Sequence, residues 1–335
     1  MSALHVGIDV SPLVQTRAGT TRHLRGLLEA LECDPEVDLR RLTFGGAGRA
    51  TAAIRDSIWY PVVLPARAYR DRVNVLHCPT FRAPLNSPVP LVVTVHDLAV
   101  LRYPEAFNVW TRRYSSLTLP RVVRAASKII AVSEFTKREL SELLGVPDER
   151  VQVIPNGVGA PFSREGPASQ GDYVLAVSTL EPRKNLEALV DAFSRANLDG
   201  CELRVVGARG WGAVKVNSDR VRYLGFVPDE ELACLYRGAR CVAYVSQYEG
   251  FGLPVLEAIA CGAPVVAADL EPIREFADGV AITVDPSDLE AIAGALERAA
   301  SRGADGATLG AEIAARHDWG RIAAETASVY REVAA

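Results

Sequence analysis

Two glutamates, Glu249 and Glu257, stand eight positions apart in the run SQYEGFGLPVLEAIACGAPVVAAD, residues 246–269. An ionised carboxylate only accepts hydrogen bonds, and its two oxygens can hold two hydroxyls at once, so each could grip a vicinal diol of a sugar. The plainer alternative is that Glu257 complements a helix dipole and Glu249 is a loop charge. The residues before Glu249, CVAYVS, read as a strand. Gly250, Phe251, Gly252 and Leu253 then lead into a helical pattern. Pro254 suits a first helical turn, where its missing N–H costs nothing, and Gly262 suits the far end as a cap. A glycine loop feeding a helix start at the end of a strand favours an anion such as a phosphate.

Three further groups have similar placement. Arg183 and Lys184, in STLEPRKN, follow a strand pattern and precede a helical one. Adjacent fixed cations there could neutralise a diphosphate, or form only an exposed basic turn. Gly19 and Thr20 open a helix after the first strand, again a phosphate-compatible arrangement. His96 and Asp97 end the run LVVTVH, which places the imidazole at the carboxyl end of a strand, unless it is a satisfied core residue. No G-x-G-x-x-G follows a strand: GGAGRAT lacks the last glycine and GARGWG has the wrong spacing. A phosphate-binding G-x-x-x-x-G-K-[ST] run is absent too, and no H-x-x-x-H, H-E-x-x-H or D-x-D pattern suggests a metal.

These groups need a scaffold that presents strand ends. Short β-rich runs alternate with helical stretches along most of the 335 residues, which predicts parallel sheets with crossover helices. The strand runs are HVGIDV, VDLRRLTF, NVLHC, LVVTVH, KIIAV and VQVIP in the first half, then YVLAVS, ELRVVG, VRYLG, CVAYVS, APVVAA and VAITV. Helical periodicity covers Thr20 to Leu31, the stretch after a Ser133 N-cap, NLEALVDAFSRA, PDEELACLYRGA, PVLEAIACG, DLEAIAGALERAA and the last residues from Trp319. The unpatterned PNGVGAPFSREGPASQGD, residues 155–172, reads as a linker. The expected domains are therefore 1–165 and 166–335, both doubly wound α/β, with the terminal helix a candidate to cross back to the first. Ligands of such sheets bind beyond the carboxyl ends of the strands.

Composition narrows the classes. Hydrophobic residues make up 49% and charged residues 23%, ordinary for a globular chain and unlike a disordered or fibrous one. The longest apolar runs are far shorter than the roughly 20 residues that span a bilayer, and no signal peptide is evident. Six cysteines without a C-x-x-C pair fit a reducing cytoplasm. Residues 1–165 carry 21 Lys and Arg against 16 Asp and Glu, while the remainder carries 16 against 25. No acidic residue lies between Glu105 and Glu134, where Arg112, Arg113, Arg121, Arg124 and Lys128 all occur. This basic 106–133 stretch is either a solvated helix face or a surface for an anionic acceptor or the inner membrane face. Nothing resembles a nucleic-acid reader.

EGFGLPVLEAIACGAPVVA closely resembles the donor-site signature of the retaining, GT-B-type glycosyltransferases called group 1 or family 4. STLEPRKN, GFVPDEEL, VTVHDL, AVSEFTKREL and VIPNGV are similar to other blocks of that family, in its usual order. The subgroup with HDL, SEFTKREL and LEPRKN contains many mannosyltransferases and deoxysugar transferases. The resemblance implies that Glu249 holds the transferred sugar and that the backbone from Gly250 to Leu253 binds sugar and phosphates. It implies that Glu257 takes the ribose hydroxyls, that Arg183 and Lys184 take the diphosphate, and that Val227 touches the base through its backbone. Gly19 would approach the phosphates from the other domain, and His96 would sit by donor sugar and acceptor. Three departures stand out. Thr179 lies near where many members have an arginine, and AGTTRHL replaces the usual glycine pattern. The stretch 212–221 is also short.

The reading is thus a GT-B enzyme that moves a hexosyl group from a nucleoside-diphosphate sugar, GDP-mannose first and a UDP- or dTDP-sugar next. The acceptor hydroxyl belongs to a saccharide, lipid or other small molecule, and no metal or other cofactor is expected. A sugar phosphorylase or nucleotide-sugar epimerase of the same fold and a non-catalytic sugar-binding scaffold are the competing readings. An NAD oxidoreductase is disfavoured by the missing fingerprint.

Overall fold

The computed structural model describes residues 3–15, 19–46, 48–208, 219–302 and 307–335. The chain forms two compact units: Met1–Gly157 with Trp319–Ala335, and Val158–Asp318. The division falls between Gly157 and Val158, ahead of the 165/166 boundary that linker composition suggests. The last helix, Trp319–Ala334, belongs to the first unit.

The first unit contains a six-stranded parallel sheet of β1 (Leu4–Asp9), β2 (Val37–Leu42), β3 (Val75–Cys78), β4 (Leu91–Val95), β5 (Lys128–Ala131) and β6 (Val151–Val153), ordered β2-β1-β3-β4-β5-β6. β3 and β4 are buried along their whole length, as expected of parallel strands covered on both faces. The order reverses between β1 and β3, which defines a switch point where a crevice opens at the strand ends. Helix Trp319–Ala334 packs beside helix Gly19–Leu31 over this sheet, joining Ile322, Ala323, Ala327 and Tyr330 to a core of Val6, Ile8, Leu24 and Leu28. Its Trp319 ring occupies a slot that only glycines leave open. A Cβ on Gly26 or Gly157 would lie 2.2 or 2.4 Å from ring atoms.

The second unit carries β7 (Tyr173–Val177), β8 (Glu202–Val206), β9 (Val221–Gly225), β10 (Cys241–Tyr244), β11 (Val265–Ala268) and β12 (Ile282–Val284), all parallel and ordered β12-β11-β10-β7-β8-β9. Its switch point lies between β7 and β10. Each strand run expected from sequence forms a strand, because β-branched residues fill the pleat and Gly, Pro and Asn punctuate the ends. Ser133 caps helix Glu134–Leu144 by accepting from Thr136 N at 3.0 Å.

Sequence periodicity missed the continuous helical stretch of residues 49–70, which widens to a π-helix over Arg55–Val63 and contains Pro61. Helix Val109–Ala125, which contains Pro120, answers to the helix-face reading of the 106–133 stretch, while helices Glu271–Ala277 and Ala307–Arg316 have no counterpart in the expected pattern. The short 212–221 stretch and the glycine runs at 45–51 and 207–212 fall wholly or partly outside the described residues.

Candidate functional site

The switch point of the second unit gathers the strongest candidates. β7 runs into a single 3₁₀ turn, Pro182–Lys184, which carries Arg183 and Lys184. β10 runs into the loop that carries Glu249. Asn185, at φ 58°, ties the two loops together by donating to Val245 O and Pro286 O at 3.1 and 2.7 Å. Gln247 N also donates to Arg183 O at 2.9 Å.

Within this frame the charges pair. Lys184 Nζ donates to Glu249 Oε1 at 2.6 Å and to the Tyr244 hydroxyl at 3.2 Å. Arg183 donates from Nη1 to Tyr248 O at 2.8 Å and from Nη2 to Glu181 Oε1 at 2.9 Å. Its Nη1 lies 3.6 Å from Glu249 Oε2. Burial alone would raise the Glu249 pKa, but Lys184 and Arg183 outweigh it and hold the carboxyl below its ordinary value. Burial, with Glu249 beside it, pushes the Tyr244 phenol well up. Arg183 and Lys184 are therefore not an exposed basic turn. They are covered cations balanced by Glu181 and Glu249, and a diphosphate arriving there must share or displace carboxylate partners.

Helix Leu253–Ala260 begins at Gly252, whose φ of 106° suits glycine and where a Cβ would lie only 3.1 Å from Ile273. Gly262, at φ 78°, follows the other end as the cap expected there. Phe251 is buried and stacks on Phe276, with ring centroids 4.8 Å apart, so it anchors the loop rather than facing solvent. Gly250 and Leu253 are buried as well. Val227 is buried in the loop between β9 and helix Asp229–Gly238.

Glu249 keeps 7% of its surface exposed, whereas Glu257 keeps 1%. Glu257 Oε2 accepts from the Tyr236 hydroxyl at 3.0 Å. Glu257 is thus almost wholly covered, although a carboxylate that grips a diol must be reachable by its ligand. It sits on the buried side of its helix, against helix Asp229–Gly238.

In the first unit, His96 follows β4 directly and is half-buried. Its Nε2–H donates to Pro79 O at 3.1 Å. Burial holds its pKa below the ordinary value, partly offset by this hydrogen bond and by Asp97, so the ring is neutral near pH 7. The His23 ring meets it edge-on with centroids 4.9 Å apart. His23 was given no role by sequence, yet it is fully covered and kept neutral by burial. Only its helix register, one turn after Gly19, could have signalled this. Gly19 is exposed at the start of its helix. In the basic 106–133 stretch, Arg112, Arg113, Arg121 and Arg124 are exposed, while Lys128 pairs with Glu332 at 2.7 Å.

The profile described as glycosyl transferases group 1 matches residues 162–323, and that described as glycosyltransferase family 4 matches residues 19–160. The chain belongs to the group 1, family 4 glycosyltransferases. Among curated relatives, the O-antigen chain mannosyltransferase B of Escherichia coli is 32% identical over 249 residues, 68% of this chain and 64% of that one. The chain thus spans somewhat less than two thirds of that relative's length. Among solved structures, the sucrose-phosphate synthase of Thermosynechococcus elongatus superposes with a TM-score of 0.78 at 20% identity, covering 98% of both chains. HepE of Anabaena, solved with UDP-glucose, gives 0.76 at 18% identity, covering 98% of this chain and 100% of that one. These likenesses show the GT-B fold, with two six-stranded parallel α/β sheets.

Proposed function

We propose that the protein is a retaining glycosyltransferase that moves a hexosyl group from a nucleoside-diphosphate sugar to an acceptor hydroxyl. The observation that carries this reading is the Lys184–Glu249–Arg183 cluster at the β7/β10 switch point, next to the start of helix Leu253–Ala260. In the reaction the bond from the anomeric carbon to the diphosphate oxygen breaks, and a bond to the acceptor oxygen forms on the same face. The acceptor proton passes to the departing phosphate. Lys184, Arg183 and the helix start stabilise the charge that develops on the diphosphate, and Glu249 stabilises the oxocarbenium-like sugar. Donor binding would draw Lys184 and Arg183 partly from carboxylate to phosphate.

His96 would stand beside the reacting sugar as a neutral donor or acceptor. Gly19 would approach the phosphates. Glu257 would take the ribose hydroxyls by exchanging its Tyr236 bond. Gly250, Phe251, Gly252, Leu253 and Val227 would shape the donor pocket.

The mannosyltransferase relative supports GDP-mannose as the first donor to test, and the UDP-glucose complex of HepE supports a UDP-sugar as the next. The phosphate charge is met by side-chain cations, so the proposal includes no metal or other cofactor. Cytoplasmic placement and contact of the 106–133 stretch with an anionic membrane surface remain part of the proposal. No described helix is long and apolar enough to cross a membrane. Sedimentation with anionic vesicles reads the membrane contact. Chromatography of nucleotide and sugar products tests the function. Transfer or slow donor hydrolysis supports it, and epimerisation or phosphorolysis without transfer contradicts it.

A further inference from the structure

The loop after β3 places a second charged cluster at the switch point of the first unit. Arg82, three residues after Pro79, which receives the His96 bond, is within about 11 Å of chain reach of that histidine's partner. Arg82 Nη1 lies 2.7 and 2.9 Å from the two oxygens of Asp56. Arg55 Nε donates to the same carboxylate at 2.8 Å, and Arg55 Nη1 to Gln15 Oε1 at 2.7 Å. Two guanidiniums share one carboxylate, so the network carries one surplus positive charge. Only 19% of the Arg82 side chain is exposed, yet its Nε and Nη2 have no hydrogen-bond partner among the described residues. Neither atom is fully buried, so both reach solvent and can donate to an incoming anion.

An aromatic surface continues from it. The Arg82 guanidinium lies 5.3 Å from the Tyr114 ring centroid. Tyr114 stacks with Trp110 at 6.3 Å and 19°. The Trp110 N–H reaches Asp56 Oδ2 at 3.3 Å, while 52% of the residue is exposed. An indole fixed by its N–H presents an apolar, electron-rich face, which suits the C–H face of a sugar ring.

We infer that Arg82, Arg55, Asp56, Trp110 and Tyr114 form an acceptor subsite for a saccharide carrying a carboxylate or phosphate group. This rests on the glycosyltransferase reading and narrows its acceptor class. Trp110 and Tyr114 stack the sugar ring. Arg82 Nε and Nη2 take the anion. Asp56 and Arg55 hold Arg82 in place.

The test is calorimetric titration of the full chain with glucuronate, methyl mannoside and inorganic phosphate at low and high salt. The expected result is saturable glucuronate binding about tenfold or more tighter than methyl mannoside, weakened by salt. Inorganic phosphate should compete. Arg82→Gln should weaken glucuronate about tenfold, while leaving Arg55 on the buried Asp56. Should that variant misfold by circular dichroism, Trp110→Ala at an exposed position carries the test: it should lose glucuronate binding, and Trp110→Phe should restore most of it. Equal affinity for methyl mannoside, or unchanged glucuronate binding in folded Arg82→Gln or in Trp110→Ala, overturns the inference. Donor hydrolysis by the wild type is read separately. Hydrolysis without charge preference removes the subsite alone, and charge preference without hydrolysis of any donor removes the glycosyltransferase reading.

Discussion

The two sheets end in switch points of opposite electrostatic character. In the second unit, β7 and β10 deliver four ionised groups, Arg183, Lys184, Glu181 and Glu249, paired at short range with little exposure. In the first, the ends of β1, β3 and β4 and helix Gly19–Leu31 carry groups whose charged forms burial disfavours. His77 is pushed down to about 3, His96 and His23 are lowered, and Asp9 is raised, while Arg82 and Arg55 pair with Asp56 nearby. The same strand topology therefore serves different chemistry. In the proposed reaction the paired ionic cluster can re-pair onto a diphosphate, whereas the buried histidines of the first unit bring no positive charge of their own.

The largest expected effect breaks the ionic side. Glu249→Ala should lower kcat by roughly 10- to 150-fold, as the loss of about 1.5–3 kcal/mol from a hydrogen bond to a charged group predicts. Steady-state kinetics with circular dichroism as the folding control measures it. An unchanged kcat would separate Glu249 from the reacting sugar. Glu257→Gln should instead raise the donor KM by about tenfold with kcat nearly kept, because the ribose is unchanged during transfer. A pure kcat loss there would reverse the two assignments.

The neutral side answers to pH. His77 has a folded pKa of about 3 against an ordinary 6.5. The unfolded chain therefore binds its proton first. The stability contributed by neutral His77 is complete above pH 6.5 and is lost progressively as pH falls toward 3. Asp9 has the opposite sign, since its raised folded pKa favours the fold at low pH. His77→Phe should cost about 1–3 kcal/mol at neutral pH by stranding the Thr94 and Tyr330 hydroxyls, which lie 2.9 and 2.6 Å from the ring nitrogens. It should also flatten the acid limb of a urea-unfolding series. An acid limb identical to wild type would contradict the assignment. The smallest expected effect is that of EDTA on donor turnover, which should be nil. Loss restored by Mg²⁺ or Mn²⁺ would add a metal to the ionic side.

The strands were legible because β-branched runs such as LVVTV and VVAA announce buried parallel strands. The long-range pairs had no sequence signal: Lys184 and Glu249 are 65 residues apart, and Arg82 and Asp56 are 26 apart. The helical stretches 49–70 and Val109–Ala125 break the amphipathic pattern. Ile58, Val62, Trp110 and Leu117 are exposed where a period of 3.6 wants polar residues, and Pro61 and Pro120 suggest an end. Glu257 was read as gripping a diol or complementing the helix dipole, and only the packing of Tyr236 against it reveals its burial.

Lys184 tests the central claim most directly, because its ammonium faces Glu249 at the switch point and is asked to receive the leaving diphosphate. Wild type and Lys184→Ala are incubated with GDP-mannose, UDP-glucose and a dTDP-sugar, and the released nucleoside diphosphate is quantified by chromatography. The account predicts release from at least one donor by the wild type and a fall of about 100-fold or more in the variant. Release at equal rates from both proteins, or from neither with any donor, would contradict it.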